Sequence, residues 1–97
     1  MAKGYWIVFY RSVSNPVALS QYAKLAEAAI QAGGGRFLTR GAAVKVFEAG
    51  IKDRSVVIEF DSVAQAIECY EGAAYQSALK ILAGAAERDV RILEGVS

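Results

Sequence analysis

The stretch Tyr5-Trp6-Ile7-Val8-Phe9-Tyr10 decides the fold, because it predicts a strand with apolar side chains on both of its faces. Aromatic and β-branched residues of this kind are typical of β-strands. Side chains alternate along a strand, so each face carries three of them: Trp6, Val8 and Tyr10 on one, and Tyr5, Ile7 and Phe9 on the other. A strand with one face in water alternates apolar and polar residues, so we expect this strand to be covered on both sides. Because both sets are apolar, the pattern alone does not show which of the two faces the barrel.

A helix is predicted after this first strand. Asn15 can cap the free backbone amides at its start, and Pro16 fits its first position. Helical spacing predicts a buried stripe, formed by Ala18, Tyr22, Leu25 and Ala29. The run Gly33-Gly34-Gly35 ends the helix, because glycine adopts left-handed backbone at no steric cost.

Further strands and a second helical region follow. Residues 36–40 and 44–48 are predicted as two halves of a strand with a bulge or bend at Gly41, and residues 54–60 as the next strand. Ser62 and Gln65 have the spacing of a capping box, so a helix is expected to begin there and to break at Gly72. Residues 90–94 form the predicted last strand.

The order β-α-β-β-α-β predicts an α+β fold, the ferredoxin-like sandwich, in which both helices cover one face of a four-stranded antiparallel sheet. We expect one domain over residues 1–97, because domains commonly contain about 100–150 residues. The second face of the first strand would then be a large apolar patch in water. A second copy, packed sheet to sheet, would cover it, so the strand pattern predicts a homodimer.

Composition excludes several classes of protein. A net charge of +1 provides no field for nucleic acid or a membrane surface, and we expect neither as a partner. One cysteine cannot form an internal disulfide, and no targeting segment is recognisable, so a cytoplasmic location is expected. Histidine is absent, which removes the commonest zinc ligand and general base. We therefore expect no metal and no cofactor.

Six blocks of sequence, in order, resemble one bacterial family, domain of unknown function 1330 of the dimeric α/β-barrel superfamily. They are residues 3–7 (KGYWI), 34–41 (GGRFLTRG), 54–60 (RSVVIEF), 69–70 (CY), 75–76 (YQ) and 92–95 (ILEG). The resemblance implies a ferredoxin-like protomer whose sheet pairs with a partner's sheet to form a barrel. It implies no reaction, since the superfamily contains oxygenases, isomerases, haem proteins and stress-response proteins. Relatives often carry an arginine where this chain has Leu82, and haem proteins of the superfamily generally use a histidine that this chain lacks.

Glu59 is the candidate catalytic residue. It lies near the end of the strand 54–60, on the opposite face from Ile58, and is predicted to face the barrel interior. Strand alternation places Arg40 on the same face as a candidate partner cation. The pair could orient a ligand or let Glu59 transfer a proton, or it could be a structural ion pair at the barrel rim.

The candidate ligand-binding residues are Arg40, Arg36, Tyr5 and Trp6. Arg36 and Arg54 flank the same hairpin and could clamp an anion, or they could be solvated strand ends or dimer salt bridges. Tyr5 and Trp6 would line a pocket with their partly polar rings. The helical tyrosines, by contrast, are predicted to be core residues, and Cys69 is predicted to be a structural thiol.

Two functions remain open from the sequence. The first is a homodimer that binds or acts on a small organic molecule by acid–base chemistry, without metal or haem. The alternative is a non-catalytic dimeric module with a structural or stress-related role. A pocket containing a perturbed Glu59 would favour the first, and a barrel filled by side chains would favour the second.

Overall fold

The computed structural model describes residues 2–96 of the chain. Its elements, in chain order, are β1 (Gly4–Val13), α1 (Pro16–Ala32), β2 (Arg36–Ala42), β3 (Arg54–Phe60), α2 (Val63–Glu71), α3 (Ala73–Leu82) and β4 (Ala86–Glu94). The four strands form one antiparallel sheet in the order β2-β3-β1-β4. The predicted ferredoxin-like α+β fold is confirmed, with the second helical region broken at Gly72 as expected.

One predicted strand half is wrong. Residues 44–48 are a loop, because β3 begins at Arg54 and Arg54 already pairs with Ala42, so β3 offers no further partner. Within the loop, the amide of Ala43 donates to the carbonyl of Lys52 over 3.2 Å. The irregularity in β2 also lies between Phe37 and Thr39 and not at Gly41.

Local chemistry explains where the helices begin. The Asn15 side chain accepts a hydrogen bond from the amide of Ala18, and Ser62 accepts one from the amide of Gln65, both over 3.1 Å. The buried stripe of α1 consists of Tyr22, Ala26 and Ile30. The prediction for Leu25 is wrong: this side chain is 50% exposed, because the buried residues recur at every fourth position and Leu25 lies beside that line.

The helices cover the face of β1 that carries Trp6, Val8 and Tyr10, each at most 3% exposed. Trp6 anchors this layer. Its indole Nε1 donates to the carbonyl of Ala66 in α2 over 2.8 Å, and its ring packs edge-on against Tyr75 in α3. The main core therefore lies between the sheet and the three helices.

The other face of the sheet, which we call the open face, carries Tyr5, Ile7 and Phe9 of β1. No helix of the described residues covers it, and both Phe9 (42%) and Leu93 (50%) are substantially exposed. Val57 and Glu59 of β3 lie on the same face, paired with Ile7 and Tyr5. Within one chain, only one of the two apolar faces of β1 is therefore covered. Among residues 2–96, no helix is long and apolar enough to cross a bilayer.

Trp6→Phe should lower the free energy of unfolding by about 1–3 kcal/mol, because it removes a buried hydrogen bond between β1 and α2 and leaves a gap where the indole packed. Urea unfolding measures the change. Tyr5→Phe, which removes one side-chain hydrogen bond on the open face, is the control and should cost clearly less. Equal losses in the two variants would contradict the anchoring role of Trp6.

Candidate functional site

The residues proposed from the sequence lie on two opposite faces of the sheet. Arg36 pairs with Glu59 in the β2–β3 register, but the shift between Phe37 and Thr39 brings Arg40 opposite Val56, which faces the helices. The predicted Arg40–Glu59 pair is therefore wrong. An extra residue in one strand moves all later side chains to the other face, and the alternation argument assumed a regular strand.

On the open face, the Glu59 carboxylate has two partners. The Tyr5 hydroxyl donates to Oε2 over 3.0 Å, and the Arg36 Nε donates to Oε1 over 3.2 Å. Arg36 also donates to the Asp61 carboxylate over 3.1 Å. The prediction that Glu59 lies opposite the helix-facing residues of β3 is correct, and its cation is Arg36.

These contacts determine the charge state of Glu59. The hydrogen bond from Tyr5, helped by Arg36 and opposed by partial desolvation, lowers the pKa of the Glu59 carboxyl below its usual value. The same hydrogen bond raises the pKa of the Tyr5 phenol. Glu59 is thus an ionised hydrogen-bond acceptor, which agrees better with a structural ion pair than with a proton donor.

A different polar cluster lies on the helix-facing side of the sheet. The hydroxyl oxygens of Tyr22 and Tyr75 are 2.6 Å apart, and Arg88 donates to both of them, over 3.1 Å to Tyr22 and 3.3 Å to Tyr75. Burial raises the pKa of both phenols, so both remain protonated near neutral pH. Burial alone would lower the pKa of Arg88, but its interactions with the two phenols raise it, so the guanidinium remains charged.

A second arginine lies beside this cluster. The guanidinium carbons of Arg54 and Arg88 are 5.8 Å and 5.5 Å from the centroid of the Tyr10 ring. The Nε of Arg54 is the one buried side-chain nitrogen or oxygen in residues 2–96 that has no hydrogen-bond partner. An unpartnered buried donor is costly and marks a place where a ligand or water could bind.

These groups line a cleft between the sheet and α1. Its cavity measures about 30 Å³, and the cleft reaches about 380 Å³ when its open mouth is counted. The inner wall is apolar, formed by side chains such as Val8, Ala26, Ile30 and Val56. At the mouth, the Arg40 guanidinium contacts the Glu27 carboxylate over 3.0 Å, and the two side chains are 40% and 44% exposed.

Trp6 and Arg40 line this cleft, whereas Tyr5, Arg36 and Glu59 do not. Sequence reasoning missed Arg88 because the last strand was predicted to begin at Val90. Counting back by two residues from Ile92 and Val90 along the strand places Arg88 on the same, helix-facing side. A charged residue at a position that should face the core was therefore the signal that the sequence offered. Leu82, where relatives often carry an arginine, is buried in the core. The arginine that contacts Tyr75 in this chain is Arg88 of β4.

Two other expectations concern reactive groups. Burial raises the pKa of the Cys69 thiol, whose Sγ lies 3.8 Å from the Ala29 carbonyl, so the structure supports a structural role. Across residues 2–96, no cluster of three or more acidic, histidine or cysteine side chains could hold a metal ion. That the protein takes no metal or haem stays a prediction.

Glu59→Gln should remove a pH-dependent contribution to stability. The folded pKa of Glu59 is lowered, so its contribution is present above its ordinary value of 4.5 and is lost as pH falls through the folded pKa. We expect the variant to melt lower than the wild type at about pH 7, and the difference to shrink towards about pH 3. Glu94→Gln controls for the loss of one carboxylate, and a pH-independent difference for Glu59→Gln would contradict the assignment.

Solved structures with the same architecture were found at low sequence identity. A protein of unknown function from Rhodopseudomonas palustris is 16% identical with a TM-score of 0.77, covering 99% of this chain and 84% of that one. A dimeric ferredoxin-like protein from Bacteroides fragilis is 17% identical with a TM-score of 0.63, covering 95% of both chains. A proposed antibiotic biosynthesis monooxygenase from Nitrosomonas europaea is 20% identical with a TM-score of 0.65, covering 97% of this chain and 90% of that one. At these identities, the likeness shows the fold alone.

No curated protein matches the chain significantly. The family described as "Domain of unknown function (DUF1330)" matches residues 3–96, which is nearly the whole sequence. The match agrees with the resemblance carried by the six sequence blocks and with the ferredoxin-like sheet. The chain therefore belongs to the DUF1330 family.

Proposed function

We propose that this protein is a homodimeric, cytoplasmic binding protein for a small organic molecule, which occupies the cleft between the sheet and α1 of each protomer. One observation carries the proposal: the hydrogen-bonded Tyr22–Tyr75–Arg88 cluster lies in the cleft beside its apolar inner wall. Buried polar and charged groups stabilise a fold less well than apolar side chains of similar volume. Their presence here is accounted for by a ligand that they contact.

The proposal assigns binding to the cleft and no reaction to Glu59. The ordinary role of a general base requires a pKa near the working pH, and the pKa of Glu59 is shifted away from it. The protonated phenols of Tyr22 and Tyr75 are suited to donating hydrogen bonds. Proton transfer by Glu59 therefore stays a prediction, separate from the cleft.

The open face supports the homodimer. Its side chains include exposed Phe9 and Leu93 and the partly exposed Ile7 and Val57, which a second sheet would cover. The Bacteroides fragilis protein of the same architecture is described as dimeric. In such a dimer, the Glu59–Arg36 pair would lie at the interface, while the clefts would remain on the outer sides.

A second candidate function, a non-catalytic interaction module, is favoured by the loop between β2 and β3. Residues 43–53 expose three large apolar side chains: Val44 at 96%, Phe47 at 74% and Ile51 at 55%. Exposed apolar groups in one loop are typical of a contact with another protein. This candidate would be preferred if the cleft proved empty of ligands.

Val57→Asp should dissociate or unfold the dimer, because it would bury an unpaired charge between two sheets, at a cost of several kcal/mol. Sedimentation equilibrium at micromolar concentration measures the association, and Val57→Thr is the matched control of similar shape. A folded wild-type monomer at that concentration would show that the open face is not a dimer interface.

Ligand binding can be located by amide NMR during a screen of small organic molecules, both neutral and charged. We expect binders to shift the resonances of Tyr22, Ala26 and Arg88. The double variant Tyr22→Phe/Tyr75→Phe should weaken their binding affinity by about tenfold. Tyr5→Phe, on the open face, is the control and should leave binding unchanged. Binders whose shifts centre on Tyr5 and Glu59 would move the site to the open face.

A further inference from the structure

We infer that the ligand is a small organic carboxylate with an apolar body, bound with its carboxylate between Arg54 and Arg88 and its body against the apolar wall. This inference rests on the proposed function and specifies its ligand. Three independent features of the cleft carry it: an excess of hydrogen-bond donors, an excess of positive charge, and a gradient of polarity along the sheet.

The donors of the cluster outnumber its acceptors. Arg54 and Arg88 carry only donors, and the Nε of Arg54 has no partner. Between Tyr22 and Tyr75, one hydroxyl donates to the other, and no other acceptor in the described residues bonds to the second hydroxyl proton. A ligand that satisfies these groups must offer hydrogen-bond acceptors, and an ionised carboxylate offers acceptors only.

The charges lining the cleft do not cancel. Three arginines and one glutamate line it, a net charge of +2, and the glutamate is already paired with Arg40 at the mouth. Neither Arg54 nor Arg88 forms a salt bridge with an acidic side chain in residues 2–96. Their guanidinium carbons lie 5.8 Å and 5.5 Å from the centroid of the Tyr10 ring, and the hydrogen bonds of Arg88 go to neutral phenols. Contact with ring faces stabilises a guanidinium only modestly, so an anion would be attracted to this position.

Polarity falls along the helix-facing side of the sheet. Tyr10 of β1 pairs with Arg88 of β4 at one end of that side. Two residues further in, Val8 pairs with both Val56 and Val90, and beyond it Trp6 pairs with Ile58 and Ile92. A ligand placed here contacts charge at one end and hydrocarbon at the other, which requires an amphipathic molecule.

The small cavity and its apolar wall favour a carboxylate with an apolar body over inorganic phosphate, which has no such body. A cavity of about 30 Å³ holds only a few atoms, so the body of the ligand must extend along the apolar wall into the open part of the cleft. A planar carboxylate matches the guanidinium fork through two parallel hydrogen bonds.

The test compares each acid with its neutral amide, which has nearly the same shape. Benzoate and hexanoate, benzamide and hexanamide, and inorganic phosphate are titrated into the full-length protein, with amide NMR reporting on Tyr22, Ala26 and Arg88. We expect the carboxylates to bind at least about tenfold more tightly than their amides and than phosphate. Arg54→Gln should weaken carboxylate binding by about tenfold, whereas Lys24→Gln, which removes an exposed charge from α1, should leave it within about twofold.

Each outcome has a distinct meaning. Equal binding of acids and amides in the cleft would overturn the inference and leave the proposed function standing. Binding of phosphate as tight as that of benzoate would replace the carboxylate with a general oxoanion. Carboxylate binding that Arg54→Gln leaves intact would remove Arg54 from the site, and Arg88→Gln, if it folds, would show whether Arg88 acts alone. Absence of any shift in the cleft with the two carboxylates would overturn the inference, whereas the proposed function fails only if the wider screen also finds no binder in the cleft.

Discussion

The structure depends on the position of β1 at the centre of the sheet, where it must be covered on both faces. It pairs with β3 on one side and β4 on the other, and its Trp6 side is covered by the helices within the same chain. Trp6 joins these layers through one buried hydrogen bond to α2 and ring contacts to α3. Within residues 2–96, no helix covers the Tyr5 side, which leaves the open face exposed and the cleft on the opposite side of the sheet.

A single irregularity in β2 determines which charged residues can meet. Up to Phe37, β2 places Arg36 on the open face beside Glu59, and after Thr39 it places Arg40 on the helix side. The two arginines consequently serve different surfaces: Arg36 neutralises a carboxylate on the open face, and Arg40 pairs with Glu27 at the mouth of the cleft. Strand pairing, and not the spacing of residues in the chain, sets this division.

The cleft combines groups that a purely structural core would avoid. Arg88 is held by two phenols and ring faces instead of a carboxylate, and Arg54 has a buried nitrogen without a partner. The phenols compensate for the partial burial of Arg88, whereas the Nε of Arg54 loses contact with water without gaining a partner, which costs stability. Sites that bind ligands commonly retain this kind of arrangement, because the ligand completes it. The open face shows a different arrangement, in which each oxygen of the Glu59 carboxylate already accepts a hydrogen bond.

The sequence by itself determined the element order, the ferredoxin-like fold, the helix starts at Asn15 and Ser62, and the family. These follow from local signals: capping side chains, glycine stops and the periods of apolar residues, which act within a few neighbours. Glu59 was also recognised as lying opposite the helix-facing residues of β3, since β3 is regular. The partner of Glu59, the buried face of β1, the loop at residues 44–48 and the cluster around Arg88 were decided only by the tertiary structure. The partner of Glu59 and the loop depend on which strand lies opposite which, and the bulge in β2 changes that pairing without leaving a mark in the local pattern. Arg88 was missed for a different reason, because β4 begins at Ala86 and not at the predicted Val90.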